Sequence, residues 1–378
     1  MKICFSCNLE KYKPKGNVLQ FLTMLQALDD KVRKLSSQER KKIKFDCVLP
    51  FEWKNGTDKF HFRHIKFYQA DKLNEKIASL NQLNEYDFIF IRGRKQAIRL
   101  LERDSSIAKK LLFLNINYNL NDPRIMKEVL YLWKNSRVMF FQSTPLADRF
   151  ADYMRQKKVE TAIVQKKVKV LPQYVQPLAK EDREQIKQVS PLHLLKAGVI
   201  RPRYGLPVAV RAIQLIRKQY PKARLHLLYP SIVNKYRQES EPLLQSPGVV
   251  SHGEVSAIDT KKMIIKSGIG LALLYDNTPD KTPSHAYLSR VLEYASLGVP
   301  VLTTRTLGNV DLFGQEYPLF VESEYDILHC YQRLQDPEFY ERMSAFVSQV
   351  GKAFIGKHAV EKLWATLKEA HQEKSKGR

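Results

Sequence analysis

The stretch from Ser289 to Leu302, SRVLEYASLGVPVL, decides the architecture of the chain. Val291, Leu292, Ala295 and Leu297 recur at helical spacing, so the first half is an amphipathic helix. Gly298 stops that helix, and a buried strand opens at Pro300. A helix joined to a buried strand by a glycine turn is one unit of a parallel α/β sheet. Glu293 lies near the middle of the helix. There it is either a solvated helix residue or a carboxylate aimed into a cleft, where it could accept two hydrogen bonds from a ribose diol.

The same grammar extends in both directions. LHLLKAG, ARLHLLYP, GVVSHG, GIGLALLY, VPVLTT and PLFVES read as strands after residue 190. Helices are expected at Leu206 to Tyr220, Ile258 to Ile265 and Tyr287 to Leu297. In the first half KICFSC, FDCVL, DFIFI, KLLFLNI and RVMFFQ are continuous apolar runs, which suit strands covered on both faces. Val18, Leu22, Leu25, Leu28 and Val32 mark a helix between the first two. FHFRHIKFY reads as a strand laid on an edge. Between the halves, LPQYVQPLAKEDREQIKQVSP carries three prolines and a charged stretch, as a linker does.

The expected fold is therefore α/β, with two Rossmann-like domains facing a cleft. Residues 1–175 form the first and 176–352 the second; 353–378 form a C-terminal helix, which in folds of this kind typically crosses back to pack on the first domain, here through Trp364 and Leu367. Doubly wound sheets bind ligands at the carboxyl ends of their strands, so paired domains suit a two-substrate reaction.

The 378 residues carry 63 Lys and Arg against 39 Asp and Glu, a formal net charge of +24. Residues 1–180 hold 36 basic and 18 acidic side chains, hence +18; residues 181–378 hold 27 and 21, hence +6. The asymmetry points either to an anionic partner for the first half or to a well-solvated basic surface. No apolar run approaches the ~18 residues needed to span a bilayer. The start, MKICFSCNLEKYK, does not read as a signal peptide. Four cysteines, Cys4, Cys7, Cys47 and Cys330, are too scattered for a disulfide framework. Cys4 and Cys7 form a CxxC inside an apolar run, read as buried strand thiols, with redox or metal chemistry as the alternative. The expected location is cytoplasmic, and the basic first half allows a peripheral position on the inner face of the cell membrane.

SRVLEYASLGVPVL resembles the donor-binding segment of retaining GT-B enzymes of glycosyltransferase family 4. That resemblance implies that Glu293 binds the ribose hydroxyls, with Ser289 and Arg290 beside it on the donor. TTRTLGNVDLFG resembles the family's threonine-and-glycine loop, which implies a donor role for Gly308. KAGVIRPRYGLPVAVRAI resembles the segment whose basic pair meets the leaving diphosphate, which implies that role for Arg201 and Arg203. The family's lysine before the helix glycine is here Tyr204. The family's first glutamate, eight residues before Glu293, is here His285, either a donor contact or a surface loop histidine. In NLEKYKPKGNVLQ, Gly16 alone stands where the family has a glycine pair. It is a phosphate-facing glycine or simple helix-start geometry. Ser143 or Thr144 fits a helix N-cap better than a ligand. In LNINYNLND, Asn117 and Asn119 are candidate acceptor contacts.

The resemblance implies a retaining, hexosyltransferase-like enzyme that moves sugar from a nucleotide-diphosphate sugar to an anionic or lipid-linked glycan. Such chemistry belongs to polysaccharide or lipopolysaccharide synthesis. It implies no metal, since no DxD is present, and no cofactor beyond the donor itself. Two alternatives stay open: a catalytically degenerate binding partner, and a sugar-nucleotide epimerase on the same fold. Nucleic acid is not indicated, because no recognised motif interleaves aromatics with the basic residues.

Overall fold

The computed structural model describes residues 1–7, 16–53, 60–115, 122–184, 186, 192–275 and 285–376. Two compact units emerge, one comprising Met1–Gln176 with Gly356–Arg378, the other Pro177–Ile355.

In the first unit seven strands pair in parallel: β1 (Lys2–Cys7), β2 (Lys44–Leu49), β3 (Ile65–Gln69), β4 (Phe88–Arg92), β5 (Leu111–Asn115), β6 (Val138–Phe141) and β7 (Val168–Val170). Their order is β3-β2-β1-β4-β5-β6-β7, so the chain reverses direction across the sheet between β1 and β4. FHFRHIKFY supplies β3, which lies at the edge beside β2. Strands β4 to β6 are buried at every residue, which explains why they read as unbroken apolar runs. The four cysteines are buried and unbridged, and burial pushes the Cys7 thiol up to about 11.

Both faces of this sheet are covered. The final helix, Gly356–Lys376, packs on the Gly16–Arg33 helix, and its Leu363 and Leu367 are wholly buried in that core. Trp364 meets Phe45 of β2 edge-on at 6.5 Å. The final helix thus completes the first core rather than hanging as a tail. The segment read as a linker is partly core as well: Leu171 and Tyr174 are buried in the same cluster. Ser143 holds the N-cap position of the Thr144–Gln156 helix, without a capping bond from its side chain.

The second unit has five parallel strands: β8 (His193–Ala197), β9 (Leu225–Leu228), β10 (Val249–Gly253), β11 (Gly268–Ala272) and β12 (Val301–Thr303). Their order is β10-β9-β8-β11-β12, with the reversal between β8 and β11. PLFVES, expected as a strand, pairs only at the isolated bridge between Thr303 and Phe320. Its neighbours are taken up instead by the turn that stacks Tyr317 on Phe313 at 4.4 Å.

Candidate functional site

The site begins where β8 and β11 part company. Their ladder ends at Leu195 opposite Gly270. Beyond that point, the hydroxyl of Tyr294 donates to the Leu195 carbonyl (3.2 Å) and accepts from the Ala197 amide (3.1 Å). One side chain thus satisfies two backbone groups that a continuing strand would otherwise have paired. The ring fits only because residue 270 is glycine: a Cβ there would lie 2.6 Å from it.

Tyr294 belongs to the Ser289–Ser296 helix, whose inner face is Val291, Leu292, Tyr294 and Ala295. Behind it, the Pro337–Lys352 helix comes so close that a Cβ at Gly351 would meet the Ala295 backbone at 2.3 Å. The Ser344 hydroxyl holds the Gly298 carbonyl at 2.6 Å. Clamped on both sides, the helix has one free edge, bearing Ser289, Arg290 and Glu293.

Arg290 donates to the carboxylate of Glu293, whose side chain is 15% exposed. Its guanidinium lies against Gly198, just past β8, where a Cβ would sit 3.6 Å from Nε. Two further cations converge here. Lys196 on β8 is 9% exposed, and burial, reinforced by Arg290, pushes its ammonium down to about 8. Lys261, on the Ala257–Ser267 helix, is 5% exposed. Its pKa is lowered chiefly by burial and further by Arg290, with Glu293 opposing. Two buried lysines therefore lie near Arg290, which is itself paired with the carboxylate of Glu293. Charge of that kind taken from water calls for a compensating anion.

Lys196 Nζ lies 5.7 Å from the centre of the Tyr204 ring, and the Arg201 guanidinium carbon lies 5.8 Å from it. Tyr204 ends a short turn, Pro202–Tyr204, and Gly205 follows at φ +63° to open the Leu206–Gln219 helix. A Cβ at Gly205 would lie 2.6 Å from the Tyr275 ring and 2.9 Å from Leu273, so the turn demands glycine. The Tyr204 ring thus has a cation near it from both Lys196 and Arg201.

The expected residues fare unequally. Glu293 and Arg290 lie at the centre, with Ser289 exposed on the same helix, and Arg201 is exposed at the rim. Arg203 is exposed, and its carbonyl accepts from the Tyr275 amide at 2.8 Å. Gly308 is closely packed: a Cβ there would lie 2.5 Å from the Ala286 carbonyl oxygen. The backbone of His285 shares that contact at 3.3 Å. Gly16 opens the Gly16–Arg33 helix of the other unit, while Asn117 and Asn119 fall outside the described residues. Among the described residues, no His, Cys, Asp and Glu group could hold a metal, and no helix is long and apolar enough to cross a membrane.

Lys196 and Lys261 were not singled out from the sequence. Each had a signal: Lys196 is a charge inside the apolar run LHLLKAG. Lys261 falls on the apolar stripe of its helix, between Ile258 and Ile264.

The chain is similar in structure to HepE from Anabaena, solved in complex with UDP and glucose. The identity is 13% and the TM-score 0.69, covering 98% of this chain and 100% of HepE. The fold is GT-B. Sucrose-phosphate synthase from Thermosynechococcus elongatus has the same kind of likeness to this GT-B chain, at 12% identity and TM-score 0.69, covering 99% and 100%. A glycosyltransferase from Rickettsia africae follows at 13% and 0.66, covering 98% of each chain. No family model matches the sequence, and no curated protein matches it. The GT-B likeness is therefore one of backbone, carried by few shared side chains.

Proposed function

We propose that this protein is a glycosyltransferase using a nucleotide-diphosphate sugar, with the donor held in the second unit around Glu293. The observation behind this reading is the surplus of cation at the strand reversal. Lys196 and Lys261 are buried near the Arg290–Glu293 pair, and three cations less one carboxylate match a diphosphate in charge. HepE, similar in fold, was solved with UDP and with UDP-glucose. Glu293 accepts from the ribose hydroxyls, its hold on Arg290 keeping the carboxylate oriented. Arg290 and Lys196 face the phosphates, and Arg201 reaches them from the rim.

The chemistry is retaining and of the family 4 kind. The anomeric carbon–oxygen bond of the donor breaks, and the acceptor oxygen bonds to that carbon on the same face. The acceptor proton passes to the departing phosphate oxygen. The protein's part is preorganised charge: cations already desolvated where negative charge builds up on the leaving diphosphate. No resident metal or cofactor is invoked. The +18 of residues 1–180 supports an anionic or lipid-linked glycan as acceptor, reached at a membrane surface during polysaccharide or lipopolysaccharide synthesis.

A panel of UDP-, GDP- and ADP-sugars, assayed for hydrolysis and transfer to cell-extract glycans, tests this directly. One donor should turn over, and Glu293→Ala should abolish that turnover. Nucleotide binding without turnover of any donor would instead mark a degenerate binding partner. Anionic vesicles should bind the protein at low salt and release it at high salt; binding indifferent to salt would remove the membrane element.

A further inference from the structure

A groove of about 280 Å³ in the first unit, lying between the start of the Leu73–Asn84 helix and one face of the Arg94–Arg103 helix, has no part in the donor site. It opens beside the reversal of the sheet between β1 and β4, where doubly wound sheets take ligands. Gln96 ties it to that point. Its Nε2 donates to the Ser6 hydroxyl of β1 at 2.9 Å, and that hydroxyl in turn donates to the Val48 carbonyl of β2 at 2.9 Å. With its proton committed to Val48, Ser6 can only accept, which fixes the Gln96 amide with Oε1 as the remaining end.

That oxygen has no partner among the described residues, although Gln96 is only 4% exposed. The Oδ1 of Asn74, in the first turn of the other helix, is likewise buried without a partner. Two residues lining one groove thus carry buried acceptors that the protein leaves unmet, and an unmet buried oxygen costs free energy. The cationic side of the wall adds a second requirement. Arg103 and Lys72 both lean on Glu75, at 3.4 and 3.8 Å. Arg99 has no ion-pair partner among the described residues. With Asp71 counted, three cations face two carboxylates, leaving one positive charge. The helix starting at Leu73 has no side-chain cap, so its first amides also point to an anion.

We infer that this groove binds an anionic monosaccharide unit, its hydroxyls donating to Gln96 Oε1 and Asn74 Oδ1 and its acidic group meeting Arg99 and the helix start. The volume suits a single sugar residue, and either a phosphate or a carboxylate supplies the charge. As the site of the sugar acceptor it rests on the transferase reading; as a binding site it does not.

Calorimetric titration of the full chain with glucose 1-phosphate, glucuronate, glucose and inorganic phosphate tests it, with UDP titrated alongside. One of the two anionic sugars should bind at least tenfold more tightly than glucose or inorganic phosphate, and which one identifies the acidic group. Arg99→Gln, at an exposed position, should weaken that binding about tenfold and leave UDP affinity unchanged. Gln96→Leu should do the same, with a thermal melt to check folding. If neither anionic sugar binds, if inorganic phosphate binds as well as they do, or if Arg99→Gln changes nothing, the inference is wrong. Failure of UDP to bind while an anionic sugar does would strike the transferase reading and leave the groove standing.

Discussion

Replacing Tyr294 by phenylalanine removes one oxygen and exposes the cost of a sheet that splits. The hydroxyl bridges the Leu195 carbonyl and the Ala197 amide, both in the buried strand β8. Without it, each is a buried polar group lacking a partner, at ~1–3 kcal/mol apiece. The ring stays, so no cavity term is added. We expect a total of about 2–6 kcal/mol. For a unit the size of Pro177–Ile355 this lowers the melting temperature by roughly 4–24 °C. Tyr317→Phe is the control, since its hydroxyl serves a single carbonyl, that of Val301 at 3.0 Å. It should cost about half as much. Because Tyr294 sets the distance between β8 and the helix bearing Arg290 and Glu293, UDP affinity should also fall in Tyr294→Phe and hold in Tyr317→Phe. Differential scanning calorimetry and UDP titration read both effects. A shift below 2 °C in Tyr294→Phe, or equal shifts in the two variants, would refute the assignment of a double role to that hydroxyl.

Three further outcomes are expected. Lys196→Met should leave the melting temperature level or raised, since it removes a buried charge, while weakening UDP binding at least tenfold. In the parent protein that affinity should decline as pH rises through about 8, where burial places the Lys196 proton, and the variant should be flat there. Gly205→Ala should destabilise by about 1–3 kcal/mol in chemical denaturation, combining a left-handed backbone with a Cβ 2.6 Å from Tyr275. The row His193–His226–His252, joined ring to ring at 2.9 and 2.8 Å across β8, β9 and β10, should make stability pH-dependent. Burial, then the neighbouring histidines, push His226 from 6.5 down to about 4, so the folded ring stays neutral while the unfolded one takes a proton. Stability is then full above about pH 6.5 and falls towards pH 4, by roughly 1–2 kcal/mol after solvent screening. A denaturation series should show that slope, reduced in His226→Leu.

Much of the site was legible in the chain because its parts are local. Glu293 and Arg290 share one helical turn, and Gly205 announces its own turn, so a short motif describes them. Lys196 and Lys261 were harder, because a lysine's surroundings are set by strands and helices distant in sequence. Only burial against Arg290 and Tyr204 distinguishes them from the many surface lysines. At Gly308 the pattern pointed to a ligand, and the structure adds a packing demand the sequence did not show, the Ala286 carbonyl pressing on that position.

By itself the sequence determined the parallel α/β class, the two runs of strands and the helix–glycine–strand unit around Glu293. Those follow from hydrophobic periodicity and turn chemistry, which act over a few residues. Tertiary structure alone decided that Leu171 and Tyr174 of the expected linker join the first core, that Tyr294 seals the split between β8 and β11, and that Lys196 and Lys261 are buried near the Arg290–Glu293 pair. Each of these depends on which distant segments meet, and on the water that packing removes from between them.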